Sequence, residues 1–111
     1  MNILDDLRTL KNNWDSYGAP KPNERSFVLA EQVLDVLRKA SFLPDRIVPS
    51  GEGGVGIVFS RGRLYADFEC FNDGELLIAM SDRTGNPIVK PVALDGIADA
   101  ITRIRNFLTG K

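Results

Sequence analysis

Apolar side chains at Ile3, Leu4, Leu7, Leu10 and Trp14 recur every three or four positions, which predicts a short opening helix. Asn2 is placed to cap it, and Asp5 and Asp6 suit the positive end of its dipole. It must stop before Gly18-Ala19-Pro20, because Pro20 and Pro22 lack donors and push their predecessors away from helical angles. Asn23 then caps a second helix with a stripe of Phe27, Ala30, Val33, Leu34 and Leu37, closed by Pro44.

From Arg46 the period changes to two. Val55, Ile57 and Phe59 alternate with Gly56, Val58 and Ser60, and Leu64, Ala66, Phe68 and Cys70 alternate with Tyr65, Asp67, Glu69 and Phe71. Arg61-Gly62, Asn72-Asp73-Gly74 and Asp82 to Pro87 supply the turns, with Leu76 to Ser81 as the strand between the last two. Shorter strands are expected at Arg46 to Ser50 and Ile88 to Val92. A last helix follows, with its stripe at Leu94, Ile97, Ile101, Ile104 and Leu108, Asp95 as candidate cap and Gly110 past its end. The pattern predicts an α+β two-layer sandwich of order α-α-β-β-β-β-(β)-α. Helices cover one face of an antiparallel meander of four to five strands, and residues 1–111 form one domain.

Composition narrows the function classes. A chain of 111 residues with 43% hydrophobic and 26% charged side chains supports a single core and needs no disulfide framework. A net charge of -1, without a basic pole, argues against nucleic acid as a partner, since phosphate binding relies on clustered Lys and Arg. The longest apolar run, Leu76 to Met80, is far below the roughly 20 residues of a membrane span. With one cysteine and no basic-then-apolar leader, a cytoplasmic location is expected.

Histidine is absent, which removes Ser-His-Asp and Cys-His catalysis and the commonest metal ligand. No catalytic residue, metal or cofactor is assigned. Cys70 shares a strand face with Ala66 and Phe68 and reads as a small buried hydrophobe. Gly51, Gly53 and Gly54 lead into a strand, whereas phosphate loops lead into a helix.

Two groups of residues remain. Asp67 and Glu69 lie on one strand face, with Glu75 placed across the hairpin and Tyr65 and Phe71 beside them. The plain reading is a solvated face balanced by Arg61 and Arg63; the functional one is an acidic-aromatic surface for a partner protein. The other group is Trp14-Asp15-Ser16-Tyr17-Gly18-Ala19-Pro20. In the structural reading Trp14 and Tyr17 plug the core, Asp15 and Ser16 cap turns and Gly18 takes positive φ. In the functional reading Trp14, Asp15 and Tyr17 line a ligand pocket, with Asp15 accepting from a ring donor.

Leu10 to Ala19 and Val48 to Ile57 together resemble a family of small uncharacterised bacterial proteins that carry a Trp-Asp-x-Tyr-Gly-Ala segment and a Pro-Ser-x-x-Gly-Gly-Val segment. The likeness extends through the acidic strand to Asn72-Asp73-Gly74 and stops short of the last helix. Val58 stands where such relatives are expected to be acidic. The resemblance implies no activity. The expected function is therefore a non-catalytic protein-interaction module, accessory, antitoxin-like or inhibitor-like, possible as a homodimer. It would use Tyr65, Asp67, Glu69, Phe71 and Glu75. The alternative is a small-ligand or weak enzymatic site built from Trp14, Asp15, Tyr17, Gly18, Ser50, Gly53 and Gly54.

Overall fold

The computed structural model describes residues 3–110, with the Ile3 side chain left aside; the expected cap Asn2 lies outside the described residues. The elements in order are α1 (Ile3–Arg8), α2 (Glu24–Lys39), β1 (Arg46–Pro49), β2 (Gly54–Arg61), β3 (Leu64–Phe71), β4 (Leu76–Ser81), β5 (Ile88–Pro91), a single 3-10 turn at Leu94–Gly96 and α3 (Ile97–Thr109). The strands form one five-stranded antiparallel sheet in chain order, the meander expected from the period-two stretch.

The alternation explains the layers. Val55, Ile57 and Phe59 of β2, Ala66, Phe68 and Cys70 of β3, and Leu76, Ile78 and Met80 of β4 point to one side. There they join Leu4, Leu7, Phe27, Val33, Leu37, Ile101, Ile104 and Leu108 in a single core. All three helices thus supply side chains to the same face of the sheet. Phe42, on the connection after α2, stacks on Phe59 at 4.8 Å between ring centroids, and Arg105 of α3 donates to the Ala40 carbonyl at 2.7 Å, closing that end of the core. Asn23 caps α2 as expected, its Oδ1 accepting from the Ser26 amide at 3.0 Å.

Three helix boundaries differ from the periodic reading. The first helix ends at Arg8, because the Thr9 hydroxyl donates to the Asp6 carbonyl at 2.7 Å and Asn13 takes φ of 64°. Leu10 and Trp14 fall at helical spacing without being helical, since short polar side chains offer the backbone competing local bonds. The second helix stops at Lys39, short of Pro44, as Ser41 takes φ of 54°. Asp95 caps nothing: it sits within the 3-10 turn, and α3 starts after Gly96 with no side-chain cap. Leu94, moved off the stripe by the same turn, is 59% exposed. No helix among the described residues is long and apolar enough to cross a membrane.

Candidate functional site

The second face of the sheet carries no part of that core. Strand register gives its rows in order along the strands: Ser60, Tyr65 and Ser81; Arg46, Val58, Asp67, Ala79 and Val89; Val48, Gly56, Glu69, Leu77 and Pro91; then Gly54 with Phe71. Glu75 follows in that last row, since the Phe71 amide donates to its carbonyl at 2.9 Å. Glu75 is therefore opposite Phe71. The expectation that it lies across from the acidic pair is corrected, because Asp67 faces Ala79 and Glu69 faces Leu77.

A solvated, Arg-balanced acidic face is not what forms. Asp67 is only 7% exposed and Val58, beside it on β2, 2%. Arg61 is turned away and donates to Asp45 at 2.7 Å, where the Ser60 amide and then that guanidinium hold the Asp45 carboxyl below its ordinary range. Asp67 is instead sealed between Val58 and Ala79 across the strands and Tyr65 and Glu69 along its own. The Tyr65 hydroxyl donates to Asp67 Oδ2 at 2.9 Å, while Oδ1 is buried with no donor among the described residues.

Burial raises the pKa of both carboxyls. Asp67 is shifted upward by desolvation, against the stabilising Tyr65 hydroxyl, and Glu69 is pushed up to about 8 by desolvation and then by the Asp67 charge. A protonated Glu69 is the neighbouring group able to satisfy Asp67 Oδ1, and burial favours its protonated form. Gly56 makes room for this. A Cβ there would stand 3.0 Å from Glu69 Oε2 and 3.3 Å from Val48, so the absence of a side chain on β2 lets the Glu69 carboxyl lie over the strand. Desolvation by burial, with the Asp67 charge adding to it, also raises the Tyr65 hydroxyl, keeping it a donor. Asp67 is buried beneath its neighbours, whereas Glu69 stays half-exposed on the face. Cys70, on the core side, is fully buried and its thiol is pushed up to about 12, which matches an inert hydrophobe.

The Trp14 segment is a compact loop held by its own bonds. Asp15 Oδ1 accepts from the Tyr17 and Ala19 amides at 2.9 and 3.1 Å, Asn13 Oδ1 accepts from the Gly18 amide at 2.6 Å, and Gly18 has φ of 86°. Trp14 is half-buried and its Nε1 donates to the Pro20 carbonyl at 3.2 Å, so Asp15 is not the acceptor for a ring. Tyr17 plugs nothing, being 93% exposed, because the Asp15 turn throws it outward. Ser16, at φ of 64°, is a turn residue as expected.

The second of the two resembling segments meets the chain just past the first, at Pro20, Lys21 and Asn23. A Cβ on Gly53 would stand 3.3 Å from the Pro20 ring and 2.8 Å from Asn72 Nδ2. Asn72 joins them: its amide donates to the Gly53 carbonyl, its Nδ2 to the Lys21 carbonyl, and its Oδ1 accepts from the Asn23 amide at 2.8 Å. A cleft of about 390 Å³ at this junction is lined by Pro20, Glu52, Gly53, Phe71 and Glu75, without Trp14, Asp15 or Tyr17. Ser50 and Gly54 instead shape the β1–β2 turn, the Ser50 amide donating to the Gly54 carbonyl at 2.9 Å. A wider cleft, about 950 Å³, lies between α2 and β1 and is lined by none of the candidate site residues expected from sequence. Among the described residues no group of three or more Asp, Glu, Cys or His side chains is arranged to hold a metal ion.

The residue that sequence reasoning passed over is Asn72, legible only as a turn former. No protein-family model matches this sequence, no curated protein matches it and no solved structure matches it.

Proposed function

We propose that this chain is a non-catalytic protein-interaction module that binds a partner protein through the open sheet face around Tyr65, Asp67, Glu69, Phe71 and Glu75. The observation that carries the reading is an antiparallel sheet with its helices on one side, while the other side presents Val48, Leu77, Ala79 and Val89 around Asp67 and Glu69. Sheet faces that meet only water alternate to polar residues, whereas β1, β2 and β4 place Val48, Val58, Leu77 and Ala79 here. Half-exposed Tyr65 and Phe71 add the aromatic anchors that interfaces favour. An accessory, inhibitor-like or antitoxin-like role fits such a module. The ligand reading is the weaker one, because the rings and carboxylate it needs do not line the nearby cleft.

Reversing Asp67 is a poor probe, since a buried lysine there would disturb folding. Leu77→Asp is the better variant, Leu77 being half-exposed at the middle of the face. The tagged full chain should retain a defined partner from its native cells, Leu77→Asp should weaken that binding at least about tenfold, and Gln32→Arg on the exposed side of α2 should not. Equal retention by wild type and Leu77→Asp would overturn the proposal.

A further inference from the structure

The open face is electrically polar along the strands. Toward one end stand Arg46, in the Val58 row, and Arg83 just past β4, whose guanidinium lies 5.8 Å from the centre of the Tyr65 ring. At the other end stand Glu75, in the Phe71 row, Asp73 in the turn beside it and Glu52 in the β1–β2 turn. All five are exposed, and none is in an ion pair among the described residues. Between the two ends stand Leu77 and Ala79 of β4, Val48 and Val58, the buried Asp67 and the half-exposed Glu69.

A surface with a cationic end, a mainly apolar middle and an anionic end is complementary to its own copy turned end over end. We propose that the partner seated on this face is a second copy of the chain, the two sheets stacking about a twofold axis that lies in the interface and runs across the strands. Rotation about such an axis reverses strand direction while keeping each strand over its own copy. It brings each copy's Arg83, beyond one end of β4, over the other's Glu75 and Asp73 at the opposite end, and turns Arg46 of β1 toward the other's Glu52. The Leu77 and Ala79 regions meet between them. An axis parallel to the strands would instead set like charges together, so the charge pattern selects one orientation. The row spacings give a face of roughly 24 by 20 Å, hence about 1,000 Å² over both copies, near the lower limit for a specific interface. The dimer is therefore concentration-dependent and weakened by salt.

This inference rests on the open-face reading above. Its test is sedimentation equilibrium on the full chain at low salt, for wild type, Arg83→Glu, Glu75→Arg and an equimolar mixture of the two variants, with circular dichroism confirming that each is folded. Wild type should sediment as a dimer at high concentration, and each single reversal should weaken association on the order of tenfold or more. The mixture should regain it, because the acid introduced at position 83 of one variant meets the base introduced at position 75 of the other, while the native pair is kept at the second contact. A wild type that stays monomeric, or a mixture no tighter than its components, overturns the second-copy assignment. A monomer that still loses a cellular partner on Leu77→Asp leaves the open-face reading standing with a different occupant; a monomer whose partner binding ignores Leu77→Asp removes both.

Discussion

Strand β3 buries side chains on both of its faces, for different reasons. Ala66, Phe68 and Cys70 are covered by helices from both ends of the chain. Asp67, one position out of phase, is covered only by what its neighbouring strands and its own place beside it: Val58, Ala79, Tyr65 and Glu69. The first face is closed by long-range packing and depends on volume. The second is closed by near neighbours within the sheet and depends on protonation, which leaves its outer surface free to meet another protein.

The sharpest way to break this contrast is at Phe68, fully buried under the helices. Phe68→Ala should cost about 3–5 kcal/mol in denaturant unfolding, through lost burial and the cavity left behind. Gly54→Ala should come next. Its Cβ would stand 2.1 Å from the Cys70 carbonyl oxygen at φ of 141°, so the β2–β3 pairing must shift, at about 3 kcal/mol.

Glu69→Gln sharpens the comparison through pH. Folded Glu69 titrates at about 8 against an ordinary 4.5, so the folded state binds this proton more tightly than the unfolded chain. The stability it lends is complete below pH 4.5 and is lost as pH rises through about 8. Glutamine can donate to Asp67 at every pH. The variant should match wild type near pH 5 and exceed it near pH 9 by on the order of 1–3 kcal/mol in thermal or denaturant melts. A variant tracking wild type across that range would show that Glu69 holds no such proton. The smallest effect belongs to Leu77→Ala, which should change monomer stability by under about 1 kcal/mol, against the several expected at Phe68.

The fold was legible because its signals are local and repetitive: period two from Val55 to Ser81, stripes in α2 and α3, and turn residues at Gly62 and Gly74 that take φ of 60° and 91°. Where local chemistry competed with periodicity, it misled. Leu10 and Trp14 kept helical spacing beyond a helix already ended at Arg8, and Leu94 kept the α3 stripe while lying in a 3-10 turn. The acidic face was legible as a face and illegible as an environment. Alternation puts Asp67 on the other side of the sheet from Phe68, but its burial depends on which residues of β2 and β4 stand alongside, and pairing register is a non-local property. Asn72 was hidden similarly, its partners Lys21 and Asn23 lying about fifty positions upstream.

Asn72 also shapes how the molecule opens. The loop from residue 9 to 21 is closed largely by bonds within itself, and the side chain and backbone of this single asparagine fasten its exit to the tip of the β3–β4 hairpin. Release of that clasp frees the loop as a unit while the sheet ladder stays intact. The Asn23 amide, held by Asn72 Oδ1, should then exchange with deuterium ahead of those of residues 13, 17, 18 and 21, which keep their bonds inside the loop, and ahead of those in β3, so that the loop moves as a knot on a tether.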